Sequence, residues 1–254
     1  MTDYVKPKKH LGQHFLADRN IAGKIAGSLH FTGRVLEIGP GKGMLTTFLY
    51  ERYKEELSVV EIDGESVEYL KSQNVLPAER IIEGDFLQMT EEKLPIGEFA
   101  LIGNLPYNIS SPVFFRMLEL RSRIPEAVFM IQKEVAERIC APHGSKTYGI
   151  LSVLLQTFYK TEYLFTVGEK VFIPPPKVKS GVLRLVRKEN VTLGCDEKLY
   201  FRVIKTAFNQ RRKTLSNSLK PVAGDKKLPE KYAGLRAEQL PFSDFIELTK
   251  YLEI

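Results

Sequence analysis

An amide, a proline and an aromatic ring stand together at Asn104-Leu105-Pro106-Tyr107, downstream of a glycine-rich turn at Gly39-Pro40-Gly41-Lys42-Gly43. A carboxamide and an aromatic face at this spacing can grip a flipped-out base by its edge and its π surface. The proline fixes the backbone between them. Adenine's exocyclic nitrogen is a poor nucleophile, because its lone pair is delocalised into the ring. The Asn104 side-chain carbonyl and a nearby backbone carbonyl, that of Leu105, can accept the two amine hydrogens and draw the nitrogen toward tetrahedral geometry. The chemistry these residues suggest is in-line transfer of a methyl group to an adenine nitrogen. A second stacking face is expected from Phe172, just ahead of Ile173 and a stiff polyproline connection at Pro174-Pro175-Pro176.

A donor for that methyl needs a site of its own. Val35 to Ile38 reads as a strand leading through Gly39, Gly41 and Gly43 into a helix, so backbone can approach a ligand closely at the carboxyl edge of a sheet. Glu61 follows Gly41 by twenty residues, at the end of the next strand, where a carboxylate can accept hydrogen bonds from both hydroxyls of a ribose. A dinucleotide would use the same geometry, but Met44 stands where the third glycine of its fingerprint belongs. Asp85, after the third strand, can accept from an adenine amino group. Acids after strands two and three, with the amide motif after strand four, favour S-adenosylmethionine over a nicotinamide cofactor.

The elements that must position these groups alternate between short β-rich runs and helical patterns, the signature of a mostly parallel sheet with helices on both faces. Strands are expected at Arg34–Ile38, Leu57–Ile62, Arg80–Glu83, Phe99–Gly103 and Ala127–Ile131, and two more at Phe158–Val167 and Val178–Val186. Helices are expected to begin near Gly43, Gly64, Ser110 and Lys133, and Asp18 to cap one running to about Leu29. Beyond Lys188 the pattern turns helical and basic, at Leu199–Phe208, Arg211–Leu219 and Phe242–Leu252. The expected architecture is a Rossmann-like α/β methyltransferase domain over residues 1–188 and a small helical, basic, RNA-binding domain over 189–254.

Composition sets the bounds. The 254 residues are 43% hydrophobic with interspersed charge, an ordinary globular balance, and no apolar run approaches a membrane span. Cys140 and Cys195 are far apart and the four histidines lack ligand spacing, so neither a disulfide framework nor a metal is expected. Between Lys170 and Lys220 thirteen Lys/Arg face three acids, a local charge of +10 within a net of +6. Charge concentrated in this way marks a surface for a polyanion, with Lys177, Lys179, Arg211, Arg212 and Lys213 as candidate contacts.

Seven motifs, in order, resemble one family over nearly the whole chain. They are Gly12-Gln13-His14-Phe15-Leu16, Glu37-Ile38-Gly39-Pro40-Gly41, Glu61-Ile62-Asp63, Gly103-Asn104-Leu105-Pro106-Tyr107-Asn108, Gln132-Lys133-Glu134-Val135, Phe172-Ile173-Pro174-Pro175-Pro176-Lys177-Val178 and Phe208-Asn209-Gln210-Arg211-Arg212-Lys213. The chain resembles the small-subunit ribosomal RNA adenine dimethyltransferases of the KsgA type. The resemblance implies dimethylation of two adjacent adenosines in a hairpin loop near the 3′ end of 16S rRNA, during assembly of the small subunit; with no apolar signal or membrane run, a cytoplasmic protein is expected, acting as a monomer. The resemblance also implies cofactor contacts from His14, Leu16, Gly39, Glu61, Asp85 and Asn104. His14 departs from the family's usual asparagine, though an imidazole keeps hydrogen-bonding capacity. The related large-subunit enzymes, a DNA adenine methyltransferase and a catalytically silent assembly factor are the competing readings.

Overall fold

The computed structural model describes residues 5–253. In chain order, β1 (Phe15–Leu16) and α1 (Arg19–Gly27) precede β2 (Arg34–Ile38), α2 (Met44–Tyr53), β3 (Leu57–Glu61), α3 (Gly64–Ser72) and β4 (Ile81–Glu83). These lead into β5 (Phe99–Asn104), α4 (Ser110–Glu119), β6 (Glu126–Gln132), α5 (Lys133–Cys140), α6 (Ile150–Phe158) and β7 (Tyr159–Val167). The chain continues through β8 (Phe172–Ile173), β9 (Ser180–Arg187), α7 (Glu197–Asn209), the short α8 (Leu215–Ser218), α9 (Lys220–Ala223) and α10 (Glu230–Ala233), and α11 (Phe242–Glu253).

Seven strands form one sheet in the order β4-β3-β2-β5-β6-β9-β7. The five from β4 to β6 are mutually parallel, and β9 runs antiparallel to β6. From β2 the chain adds β3 and β4 on one side, then returns to place β5 and β6 on the other. Loops leaving β2 and β5 therefore diverge, and a crevice opens at their carboxyl ends. Helices cover both faces of such a sheet, which is why Val35–Ile38 and Phe99–Ile102 are continuously buried rather than alternating. At the crevice the two strands lie so close that a Cβ on Gly103 would sit 2.5 Å from the Ile38 carbonyl oxygen. Asp18 caps α1 as expected, accepting from the amides of Asn20 and Ile21 at 2.8 and 3.0 Å. Among the described residues no helix is long and apolar enough to cross a membrane.

The chain resolves into two compact units, and their division departs from the expected cut at Lys188. The first unit comprises the residues up to Ala136 together with Glu162–Arg187, and the second takes Glu137–Thr161 as well as everything from Lys188 on. The borrowed segment carries α6, which no sequence signal announced. Val153, Leu154, Leu155 and Phe158 are buried, and the Thr157 hydroxyl shares a 2.7 Å hydrogen bond with that of Tyr200 on α7. Its partner on α7 lies some forty residues downstream, beyond the reach of a local pattern. Arg211–Leu219 is not one helix either. The chain turns after Asn209, closed by the Lys213 amide on the Gln210 carbonyl at 2.8 Å, and only Leu215–Ser218 is helical. The Ile173–Pro174 peptide, just ahead of the remaining prolines, is cis.

Candidate active site

The loop after β2 turns on three left-handed glycines, with φ of +67° at Gly39, +55° at Gly41 and +77° at Gly43. A Cβ on Gly39 would meet no protein atom within 4 Å, because that position opens into a cavity, whereas one on Gly41 would strike the Phe15 ring at 2.8 Å. The Gly41 amide donates to Glu61 Oε2 and the Asp63 amide to Glu61 Oε1, both at 3.0 Å. These bonds aim a buried carboxylate at the end of β3 into the same cavity. Burial pushes the Glu61 carboxyl up from its ordinary range, and the two backbone amides offset part of that. Glu37, on β2, is fully enclosed, and its carboxyl is pushed up to about 8, first by desolvation and then by the charge of Glu61. The Thr46 hydroxyl lies beside it and pulls the other way, yet neither that hydroxyl nor Glu37 Oε2 completes a hydrogen bond.

On the far wall, Asn104 ends β5 and its amide Nδ2 donates to the His14 carbonyl at 3.0 Å. A carbonyl can only accept, so the amide nitrogen must face it, and the side-chain oxygen is left for the cavity. His14 Nδ1 donates in turn to the Pro174 carbonyl at 2.8 Å. Its ring lies 5.8 Å from that of Tyr107, tilted by 31°. The Tyr107 hydroxyl is tied to Ser180 Oγ at 2.9 Å, which sets the ring's orientation. Burial raises the Tyr107 phenol above its usual range, with the Ser180 bond opposing, so the ring meets a ligand uncharged. Asp85 starts a short 3-10 turn, with its oxygens accepting from the Leu87 amide at 2.9 Å and from Gln88 at 2.8 Å.

One cavity is lined by His14, Leu16, Gly39, Gly41, Glu61, Asp85, Asn104, Leu105, Pro106, Tyr107 and Phe172, which are all the residues expected to act in catalysis or cofactor contact. The tertiary structure alters the reading of one. Phe172 is only 2% exposed and belongs to the hydrophobic core, so it offers no open ring face; it backs the cavity wall, and the exposed side chain of that strand is Ile173. Lys177, Lys179, Arg212 and Lys213 are exposed and none of them lines the cavity. Arg211 is half-buried and committed within the second unit, 3.6 Å from Glu238 and donating to the Ser145 carbonyl. Two contributors escaped residue-by-residue reading. Ile62, 53% exposed, gives the cavity an apolar wall beside Glu61, where an apolar residue between two acids was the available signal. Ser180 carries no chemistry in sequence, and only the fold brings it to Tyr107.

These groups suit an adenosyl sulfonium. The open Gly39 surface admits backbone contact, and the buried Glu61 presents two acceptors spaced for a diol. Comparison with known proteins agrees. The model of the family described as ribosomal RNA adenine dimethylase matches residues 5–253.

The chain belongs to that family.

It is similar to the "Ribosomal RNA small subunit methyltransferase A" of Flavobacterium johnsoniae, at 57% identity over 98% of this chain and 97% of the relative. The protein of the same description from Parabacteroides distasonis is 56% identical over 98% and 96%. Among solved structures, a dimethyladenosine transferase from Plasmodium falciparum superposes with a TM-score of 0.78 at 27% identity, covering 92% of this chain and 96% of that one. The 23S rRNA methyltransferase ErmE superposes at 0.66 with 26% identity, over 93% and 99%. The dimethylase is thus an S-adenosylmethionine-dependent enzyme acting on adenine in ribosomal RNA, on a Rossmann-like fold.

Proposed function

We propose that this dimethylase acts on two adjacent adenosines in the hairpin loop near the 3′ end of 16S rRNA, within the small subunit or its precursor, as a cytoplasmic monomer. The full-length identity to small-subunit methyltransferases supports the choice of RNA. The observation that carries the chemistry is the orientation of Asn104, whose amide nitrogen is spent on His14 and whose oxygen is therefore presented to the cavity. When bound, the cofactor supplies a methyl group on a sulfonium centre.

The rest falls to this chain's side chains and backbone. Asn104 Oδ1 and the Leu105 carbonyl accept the two amine hydrogens of the adenine; the neighbouring Pro106 carbonyl is already taken by the Ile109 amide at 3.1 Å. With both hydrogens held, the nitrogen lone pair is freed from the ring and directed at the donor. Tyr107 stacks on the base, an interaction worth roughly 1–3 kcal/mol. A neutral amide also tolerates an amine that already carries one methyl, because it imposes no fixed charge and can lose one donor. Glu61 holds the ribose, and Asp85 takes the adenine amino group of the cofactor.

Backbone grip is assigned to the basic residues. Phosphate contacts position an RNA and base contacts select it. Since Arg211 is engaged within its own unit, the free cations of that turn are Arg212 and Lys213. Neutralising both is expected to flatten the log–log salt dependence of rRNA binding by about 1.5, near 0.7–0.9 per lost phosphate contact. An unchanged slope would remove the pair from the interface.

The target itself is tested with labelled S-adenosylmethionine and, separately, small subunits, large subunits and DNA, followed by mapping of the labelled base. Label confined to adjacent adenosines in small-subunit RNA is expected. Label in 23S rRNA or DNA would overturn the assignment.

A further inference from the structure

The arm preceding α1 forms one wall of the cofactor cavity, from His10 to Leu16, yet has little secondary structure to hold it there. It contains one 3-10 turn, Lys9–Leu11, and the two-residue β1. Its downstream end is fastened by pairing with β8 and by the Ala17 amide on the Val171 carbonyl at 2.8 Å. Its upstream end is fastened by acids at the start of α3, chiefly the buried Asp63, with the exposed Glu65 Oε1 also 3.2 Å from Lys8 Nζ. Lys8 Nζ lies 2.5 Å from Asp63 Oδ1, and Gln13 Nε2 donates to Oδ2 at 3.2 Å. Gln13 Oε1 accepts from the Lys8 amide at 2.8 Å, so the two arm residues also lock each other.

Asp63 is built into the scaffold. It caps α3, accepts from Ser66 Oγ at 3.0 Å, and its own amide supports Glu61. Burial opposes its ionisation, but the bonds from Lys8, Gln13 and Ser66 outweigh burial and hold the carboxyl below its usual range. Next to Gln13 in the chain is His14, whose carbonyl orients Asn104.

We propose that Asp63 is a positioning residue that, through Lys8 and Gln13, latches the arm across the cofactor cavity, setting cofactor affinity and the seating of Asn104. The proposal rests on the assignment of this cavity to the cofactor. Asp63 touches neither substrate nor donor. It acts by keeping a poorly self-supported wall closed, so its loss raises the population of open arm. Lys8 is the informative site, because Asp63 itself also caps a helix. Removing the cation leaves a buried carboxylate without its charge partner and favours opening.

The experiment measures S-adenosylhomocysteine affinity by calorimetry, and backbone hydrogen exchange of residues 10–16, in the full chain with Lys8→Met, Lys8→Arg and Gln13→Ala. Lys8→Met is expected to weaken binding roughly tenfold and to speed exchange in the arm, with Lys8→Arg restoring both to within about twofold. Gln13→Ala shifts both in the same direction by less. With RNA, KM for the donor rises more than kcat falls. Wild-type affinity and exchange in Lys8→Met and Gln13→Ala would overturn the latch. Because neither readout involves RNA, that result is distinct from an error in the RNA target.

Discussion

Replacing Asn104 by alanine is expected to slow methyl transfer by about a thousandfold while cofactor affinity changes by less than about fivefold. The rate effect is large because the side-chain oxygen acts where charge redistributes on the adenine nitrogen, not on the cofactor's resting structure. The affinity effect is small because the ribose and adenosyl contacts belong to other residues. Single-turnover transfer to the RNA substrate, alongside calorimetry with S-adenosylhomocysteine, separates the two. Asn104→Asp sharpens the test. It keeps an oxygen for the amine but places its second oxygen against the His14 carbonyl, 3.0 Å from the present nitrogen. Two acceptors repel at that distance, so the variant recovers only part of the rate. An alanine variant within tenfold of the native rate would mean that the amine is held elsewhere.

The second large effect lies at Glu61. This carboxylate is 4% exposed and already receives the Gly41 and Asp63 amides at 3.0 Å, one on each oxygen. Each oxygen keeps a lone pair for a ribose hydroxyl. Glu61→Ala removes two charge-assisted hydrogen bonds to the ligand and leaves two backbone donors unpaired, which together amount to about 3–4 kcal/mol. S-adenosylmethionine and S-adenosylhomocysteine should both bind at least about a hundredfold more weakly. Glu61→Gln does not rescue them. Its amide nitrogen must meet one backbone N–H or the other, donor against donor. Equal loss for the charged donor and the neutral product is the signature, since the lesion is in the ribose contact. An alanine variant that binds within threefold of wild type would place the ribose elsewhere.

Both tests concern residues whose role was readable before any fold was known, and the reason is local. The turn at Gly39–Gly43, the acid at the end of β3 and the amide at the end of β5 each follow an apolar strand. In a parallel sheet every strand's carboxyl end points to the same edge, so the period of the strands alone brings these groups to one side. Helix caps are equally local: Asp18 and its acceptor bonds span three residues. What escaped was non-local. The assignment of α6 to the second unit depends on contacts with α7. Alternation along β8 turns Phe172 inward, where it lines the cavity at 2% exposure, and Ile173 outward, a choice made by pairing with β1.

By itself, then, the amino-acid order determined the kind of sheet, the cofactor class and the side chains at its edge, since those follow from strand period and short-range spacing. Only the tertiary structure decided how they are aimed. The Asn104 amide is turned by a carbonyl ninety residues upstream, Tyr107 is set by Ser180 across the sheet, and Arg211 is steered by the Ser145 carbonyl. Orientation of a polar group depends on which partner reaches it in space, and long-range hydrogen bonds leave no periodic trace in a sequence.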